Sequence, residues 1–281
     1  MTDMRGLHGS VGLLGAGALA EALAGGLLAA GLPAERIWVC NRSDDQALEH
    51  FRQVGLHTTR AKGELAAAAE IIVLAVKPRD AVAALTELRD VLRPAARLIS
   101  CMAGISTACI EATLGGEPRV VRAMPNIGSA VRASATALCA GRFARPADVE
   151  AASALLRAVG DVVAVPEEAM DAVTAVAGSG PAYVYCLMEA MAEAAAALGL
   201  PAPEAQRLIV QTVAGAARLA LETERPAAQL RAAVSSPGGT TVAGIAVLDE
   251  GGFTPLLVRA IRRAAERSRE LGAAEGDAVP R

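Results

Sequence analysis

The sequence of 281 residues predicts an α/β fold, in which a doubly wound parallel sheet is followed by an all-helical domain. Two observations favour this fold class. Short apolar runs alternate with helical patterns up to about residue 165, as in successive βαβ units. Beyond that residue the apolar runs stop and alanine-rich helical patterns take over. We therefore expect a sheet domain over residues 1–165 and a helical domain over residues 166–281.

The composition excludes several functional classes. The chain is 53% hydrophobic, so it can bury a sizeable core. Only 2% of its residues are aromatic, which argues against stacking on single-stranded nucleic acid. The formal net charge is -3, so no basic footprint indicates DNA or RNA binding. No apolar run approaches the ~18 residues of a spanning helix. We expect a soluble, cytoplasmic protein that binds neither nucleic acid nor membrane.

The cysteines indicate a reducing compartment and no metal site. There are five of them, an odd number, and no two form a C-x-x-C pair. The three histidines do not cluster with them in a zinc-binding pattern. We expect reduced thiols, most of them buried, and no bound metal.

The first element is a strand that runs into a glycine turn. Val11–Leu14 is apolar, "GAGALA" follows it directly, and a helical pattern of leucines comes next. In such a turn Gly15 permits the tight bend and Gly17 allows the backbone to approach a pyrophosphate, while Ala20 keeps helix and strand close. Phosphates then lie at the helix N-terminus. This Rossmann-like pattern predicts a dinucleotide site; the alternative is a glycine-rich helix start without a ligand.

The second strand indicates which dinucleotide is bound. "RIWVC" ends in Asn41, Arg42 and Ser43, where an NAD enzyme has an acidic residue for the ribose 2′-hydroxyl. Arg42 can pair with a 2′-phosphate, and the two polar neighbours can donate to it. We therefore predict NADP (NADPH) as the cofactor, with NAD as the alternative if Arg42 is an ordinary surface charge.

Five further apolar runs predict the rest of the sheet. They are "EIIVLAVKP", "ARLISCMAGI", "RVVRAMPNIG", "ATALCAG" and "VVAV". The first three end in Lys77-Pro78, in Ala103-Gly104 and in Asn126. Because the carboxyl ends of parallel strands meet at one edge, we expect these residues to line a single crevice.

The helical half contains a second candidate anion site. "SSPGGTTVAG" breaks the helical pattern and restarts it at once. Gly238 and Gly239 leave backbone amides uncovered at a helix start, and Ser236, Thr240 and Thr241 surround it. This pattern predicts a site for a small carboxylate; the alternative is a plain turn. The apolar helices also exceed what a domain of this size hides alone, so we expect a partner subunit.

These segments together resemble the pyrroline-5-carboxylate reductase family. The matching motifs, in order, are "GAGALAEA", "NRS", "AVKP", "MAGI", "R-A-M-P-N", "DAVTAVAGSGPAYV", "SPGGTTVAG" and "LDEGGF". They cover nearly the whole chain, and the pair "GSGPAY" and "SPGGTT" is specific to the family.

The resemblance implies an activity, an assembly and a set of site residues. The family reduces 1-pyrroline-5-carboxylate to L-proline with NAD(P)H, the last step of proline biosynthesis, and its helical domains interlock in dimers that often form rings. The active site would join the Rossmann-like domain of one chain to the helical domain of its partner. Ser236 and the backbone over residues 238–241 would hold the substrate carboxylate, and the hydroxyl of Thr241 would meet the ring nitrogen. Lys77, Pro78, Ala103 and Asn126 would line the nicotinamide side.

From motif and resemblance together we expect the following assignments. The candidate catalytic residues are Thr241, Ser236 and Lys77. The substrate would be bound by Gly238, Gly239, Thr240 and Thr241. The dinucleotide would be bound by Gly15, Gly17, Ala18, Leu19, Asn41, Arg42, Ser43, Lys62, Ala75, Val76, Lys77, Pro78, Ala103, Gly104 and Asn126.

The chain departs from the family at two places. The family usually has Asn-Thr-Pro at Asn126-Ile127-Gly128, and it often has Asn near the position of Lys62. Lys62 either adds charge for a 2′-phosphate or is simply solvated. Two other functions stay open at this point: an NADP-dependent imine or ketone reductase of the same architecture, and a non-catalytic NADP-binding regulator.

Overall fold

The computed structural model describes residues 9–42 and 45–276. The chain divides into two compact units, one formed by Met1–Ser179 together with Arg262–Arg281 and the other by Gly180–Ile261. The division lies after residue 179, and the described residues 262–276 belong to the first unit. The boundary between a sheet domain and a helical domain that we expect near residue 165 stays a prediction.

The first unit is built on an eight-stranded sheet with the order β3-β2-β1-β4-β5-β6-β7-β8. All neighbouring pairs are parallel except β6 and β7, which are antiparallel. The doubly wound sheet predicted from the sequence is confirmed, with one reversed connection near its far edge. The strands are β1 Val11–Leu14, β2 Ile37–Cys40, β3 His57–Thr59, β4 Ile71–Leu74, β5 Arg97–Ser100, β6 Arg119–Met124, β7 Ser134–Ala140 and β8 Gly160–Ala164.

Six helices alternate with these strands, and a seventh short one follows the last strand. They cover both faces of the sheet, as the continuous apolar strands require. β1 and β4, for example, are buried along their whole length. The helices are α1 Ala18–Ala29, α2 Asp45–Gln53, α3 Lys62–Ala68, α4 Ala81–Arg89, α5 Thr107–Leu114, α6 Pro146–Arg157 and α7 Met170–Val173.

The core lies in two layers, one on each face of the sheet. On one face Leu23 and Leu27 of α1 pack with Phe51 of α2 and Leu155 of α6. On the other face the buried apolar side chains of α3, α4 and α5 pack together; they include Leu65, Leu85, Leu88 and Ile110. Each layer holds its helices against the sheet from one side, and the strand ends are thereby fixed relative to one another.

A buried ionic cluster ties α6 to the middle of the sheet. The side chain of Asp148 has no solvent exposure, and Arg119 of β6 donates to both of its oxygens, at 2.8 Å from Nε. Arg97 of β5 lies 3.2 Å from the same carboxylate through its Nε. The backbone amide of Arg145 also donates to it, at 2.8 Å. The carboxylate thus pairs with two guanidinium groups and accepts a hydrogen bond from the backbone at the start of α6.

The second unit is helical and has little core of its own. It contains α8 Gly180–Ala197, α9 Ala202–Thr223, α10 Ala227–Ala233, α11 Thr240–Glu250 and the first part of α12 Phe253–Gly276. Of its apolar side chains only Ala205 and Ile209 are buried. Large apolar side chains along α8, α9 and α11 are exposed instead, among them Leu208, Leu221 and Val247. The helical half predicted from the sequence is confirmed.

The break at "GSGP" in the sequence is a change of helix type followed by a new helix. Residues Thr174–Gly178 form a π-helical turn, which the amide of Ser179 closes by donating to the carbonyl of Thr174 at 2.8 Å. α8 then begins at Gly180. Pro181 therefore lies in the first turn of a helix, where its missing N–H leaves no gap in the hydrogen bonding.

No single helix within the described residues is long and apolar enough to cross a membrane. One bent pair of helices, Thr240–Glu250 and Phe253–Ala273, meets the length and composition for a span only when the two are taken together, and they meet at an angle of 54°.

Candidate dinucleotide and substrate sites

A cleft of about 450 Å³ opens at the carboxyl edge of the sheet, between the ends of β1 and β4. These two strands are paired in register, with Leu14 opposite Leu74. The order of strands reverses at this point, because β2 and β3 lie on one side of β1 and β5 and β6 lie beyond β4. Such a switch point is where doubly wound sheets bind their ligands.

The glycine turn after β1 forms one wall of this cleft. Gly15 has a φ of +117°, and a Cβ atom there would lie 2.6 Å from the carbonyl oxygen of Ala75. Its amide donates to the carbonyl of Cys40 at 2.9 Å. A Cβ atom on Gly17 would meet nothing within 4 Å, so the space in front of this residue is open. Gly17 is also the N-cap of α1, and no side chain caps it.

Two cations line the opposite end of the cleft, and one carboxylate joins them. Arg42 follows β2, and its Nη1 donates to Glu87 Oε1 at 3.2 Å. Lys62, the first residue of α3, donates through Nζ to Glu87 Oε2. The hydrogen bond from Lys62 is the main reason that the pKa of Glu87 lies below its usual range, and Arg42 adds to it. The positive charges predicted for a 2′-phosphate are therefore close together, and they share one acidic partner.

The residues that follow β4 line the floor of the cleft. Ala75 and Val76 line the cleft, and Lys77 is exposed at its edge. Pro78 starts a short 3-10 turn. The backbone amide of Asp80 closes this turn by donating a hydrogen bond to the carbonyl of Lys77 at 2.9 Å. This turn fixes the direction in which the chain leaves the strand.

Ala103 and Gly104 follow β5 and lie beside the next strand end. Gly104 has a φ of +77° and packs closely on the last helix: a Cβ atom on it would lie 3.3 Å from the amide nitrogen of Gly272. Its structural role is therefore close packing of the chain against α12, in addition to any contact with a cofactor.

Asn126 follows β6, and hydrogen bonds engage both atoms of its side-chain amide. Its Oδ1 accepts from the amide of Gly128 at 2.9 Å, and its Nδ2 donates to the carbonyl of Ala177 at 3.0 Å. The second bond ties the strand end to the π-helical turn. A proline at position 128, which the family usually has, carries no N–H and could not donate this bond.

The thiols around the sheet are held in the neutral form. Burial raises the pKa of Cys40, which lines the cleft, to about 11. Burial also raises the pKa of Cys139 in β7 to about 11. A thiolate nucleophile at either position is disfavoured near neutral pH.

The turn before α11 has the geometry of an anion site. Gly238 has a φ of +74°, and the amide of Gly239 donates to the carbonyl of Ser236 at 2.9 Å. Gly239 is the N-cap of an 11-residue helix, and no side chain caps it. The amides that follow it, from Thr240 and Thr241, point out of the helix start. Together with the dipole of the helix they favour a carboxylate.

The cleft brings together about half of the predicted cofactor residues. Gly15, Gly17, Asn41, Arg42, Lys62, Ala75, Val76 and Lys77 line it, whereas Ala18, Leu19, Pro78, Ala103, Gly104 and Asn126 do not, and Ser43 falls outside the described residues. Sequence reasoning missed several lining residues because they lie on α2, on α4 and in the turn before it. They are Ala47, Arg79, Asp80, Ala83 and Ala84.

A glycine turn, a switch-point cleft and two cations at its far end are the features of a dinucleotide-binding protein. Residues 10–104 match the family model described as NADP oxidoreductase, coenzyme F420-dependent. The predicted NADP class is thereby confirmed. Residues 167–271 match a second model, described as pyrroline-5-carboxylate reductase dimerisation, which indicates a homo-oligomer.

Relatives extend this match over nearly the whole chain. Pyrroline-5-carboxylate reductase 2 of Bacillus subtilis is 39% identical over 263 residues, which are 93% of this chain and 94% of the relative. The pyrroline-5-carboxylate reductase of Pseudomonas aeruginosa is 40% identical and also covers 93% of this chain and 96% of its own length. The chain belongs to the pyrroline-5-carboxylate reductase family, and the resemblance noted from its motifs is confirmed.

Solved structures agree with the assignment. A pyrroline-5-carboxylate reductase from Coxiella burnetii has a TM-score of 0.88 at 42% identity and covers 94% of this chain and 98% of its own. The Plasmodium falciparum pyrroline carboxylate reductase, solved with NADP bound, has a TM-score of 0.84 at 28% identity, with 94% and 98% of the two chains covered.

Proposed function

We propose that this protein reduces 1-pyrroline-5-carboxylate to L-proline with NADPH, the last step of proline biosynthesis. The observation that supports the proposal most is the uncapped start of α11, where two glycines and two threonines form a turn suited to a small carboxylate. The switch-point cleft in the same chain would bind the dinucleotide that donates a hydride to that substrate.

The cofactor would be held from both ends of the cleft. The free amides at the start of α1 bind the pyrophosphate, and the open space in front of Gly17 admits it. Arg42 and Lys62 neutralise the 2′-phosphate, with Asn41 and Ser43 as further donors. The residues 75–78 and 103–104 and Asn126 border the nicotinamide. The exposed, charged Lys77 orients that ring and the substrate beside it.

Bound NADPH supplies the hydride, and the residues of this chain position the acceptor. The hydride adds to the imine carbon of the ring, and the ring nitrogen carries a proton that the imine has taken from solvent. Amides of residues 238–241 and the hydroxyl of Ser236 fix the carboxylate, so that the imine carbon faces the cofactor. The Thr241 hydroxyl holds the ring nitrogen in place. No histidine is required as a general acid in this scheme.

The assembly would be a homodimer through the helical domain, with rings of dimers as a larger form. In that dimer the turn before α11 serves the dinucleotide cleft of the partner subunit. The protein would act on a small molecule in the cytoplasm, without nucleic acid or membrane. All five cysteines are free thiols, which supports a reducing compartment.

The test is NADPH oxidation with three substrates. We expect turnover with 1-pyrroline-5-carboxylate and a large loss with 1-pyrroline, which lacks the carboxylate that the turn binds. Equal rates with both would favour a general imine reductase of the same architecture. Binding of NADPH without turnover of either imine or of a small ketone would favour a non-catalytic regulator.

A further inference from the structure

Glu87 is shared by two cations that line the β2 end of the cleft, Arg42 and Lys62, although it is not itself a lining residue. It lies one helical turn beyond Ala83 and Ala84, two residues of α4 that line the cleft. Arg42 and Lys62 each donate to one of its carboxylate oxygens. The exposed fraction of the Lys62 side chain is 12%, against 72% for Arg42 and 47% for Glu87. Lys62 is therefore the more fixed member, and Glu87 connects the end of β2 to the start of α3.

The same two cations are the ones that a 2′-phosphate needs. The phosphate and the Glu87 carboxylate are both anions, so they compete for the same donors and repel each other. A third cation stabilises the backbone there: Arg60 Nη2 donates to the carbonyl of Arg42 at 3.1 Å. Because its two partners keep the pKa of Glu87 below the usual range, its carboxylate is charged throughout the neutral range.

The Glu87 carboxylate also supplies an acidic hydrogen-bond acceptor, which the end of β2 lacks. NAD enzymes place an acidic acceptor for the ribose 2′-hydroxyl at the end of the second strand, where this chain has Asn41 and Arg42. Glu87 brings an ionised acceptor to Arg42 from another element, α4.

We propose that Glu87 determines cofactor specificity by competing with the 2′-phosphate of NADPH for Arg42 and Lys62 and by accepting the 2′-hydroxyl of NADH. The residue lowers the preference for NADPH and keeps NADH usable. This inference rests on the proposed function, because it needs a dinucleotide in the cleft.

The test compares nucleotides with and without the 2′-phosphate. Glu87→Gln keeps the size of the side chain and removes its charge, and Glu87→Ala removes the acceptor as well. The control is Asp90→Asn, which removes the same charge just beyond the end of α4, where Asp90 faces Arg89 at 3.3 Å. Calorimetry gives the dissociation constants of 2′,5′-ADP and 5′-AMP, and steady-state kinetics give kcat/KM for NADPH and NADH.

We expect the affinity ratio of 2′,5′-ADP to 5′-AMP to rise by roughly five- to twentyfold in both Glu87 variants, as for removal of one nearby like charge. The kcat/KM ratio of NADPH to NADH should rise in parallel, and the control should leave both ratios unchanged. Unchanged or lower ratios in both variants would overturn the inference, since Glu87 would then merely orient the cations. If the unaltered protein binds neither 2′,5′-ADP nor NADPH, the proposed function fails together with it. Turnover of 1-pyrroline-5-carboxylate with unchanged ratios would overturn the inference alone.

Discussion

Gly15 and Gly17 lie two residues apart in the turn after β1, and a side chain would act differently at each. At Gly15 a methyl group collides with the backbone of Ala75 and is strained by the positive φ. At Gly17 it would extend into empty space at the start of α1. The first glycine is therefore needed for the fold, and we propose that the second is needed for the approach of a ligand.

We predict that Gly15→Ala lowers the free energy of unfolding by at least about 2 kcal/mol, because strain and collision add. Gly17→Ala should keep the melting temperature of the unaltered protein but weaken NADPH binding about tenfold, or ~1.4 kcal/mol. Thermal melting and fluorescence titration with NADPH separate the two effects. Equal affinity for NADPH in Gly17→Ala would contradict a pyrophosphate at this turn.

Thr241 is the side chain that we assign to the ring nitrogen of the substrate. We predict that Thr241→Ala lowers kcat by roughly ten- to a thousandfold, the loss of one or two oriented hydrogen bonds. Thr241→Ser keeps the hydroxyl and should retain most of the activity. The kcat with saturating 1-pyrroline-5-carboxylate and NADPH is the measurement, and an unchanged value in the alanine variant would remove Thr241 from the mechanism.

At the scale of elements, side-chain interactions fix the amino ends of β5 and β6 and the carboxyl end of β6. α6 is tied to β5 and β6 through Asp148, and the π-helical turn is tied to β6 through Asn126. The first connection lies at the amino ends of β5 and β6, at the edge of the sheet opposite the cleft, and the second lies at the carboxyl end of β6.

We predict that Asp148→Asn costs about 3 kcal/mol of unfolding free energy, because two arginines then face a neutral partner in a buried place. Asp90→Asn, whose carboxylate is exposed, should cost less than about 0.5 kcal/mol. Urea unfolding at one fixed protein concentration compares them. A similar small loss in both variants would mean that the cluster at Asp148 is not important for stability.

The apolar runs of the sequence predict seven of the eight strands. The strand that they miss, β3, has only three residues. It pairs in parallel with β2 at the sheet edge, and the ring of His57 stacks on that of Trp38 with 4.5 Å between the ring centroids. Glu87 was missed for a different reason: it is 45 residues from Arg42 and 25 from Lys62, and only the packing of α4 joins them. Likewise, no motif shows that both atoms of the Asn126 amide are already engaged.

At the scale of the whole molecule, the second unit exposes far more apolar surface than it buries. Two buried apolar residues cannot stabilise five helical segments in water. The match to a dimerisation model accounts for this surface, since a second subunit would cover it.

We predict that Leu208→Glu, on the exposed face of α9, dissociates the oligomer and lowers the melting temperature. Burying the new carboxylate in the interface without a pairing charge would cost more free energy than the contact provides. Val54→Glu adds the same charge at an exposed position after α2 and should change neither property. Analytical ultracentrifugation and thermal melting provide the readouts, and an unaltered mass in Leu208→Glu would place the interface elsewhere.

The last helix, α12, returns to the first unit. Ser268 donates to Asp171 Oδ1 at 2.6 Å, and a Cβ atom on Gly272 would lie 2.4 Å from the carbonyl oxygen of Gly104. During synthesis these contacts can form only once residues 268–272 have been made, after the whole second unit. A nascent chain that stops after β8 leaves the loop at Gly104 uncovered, so completion of the first unit waits for a segment that follows the second unit along the chain.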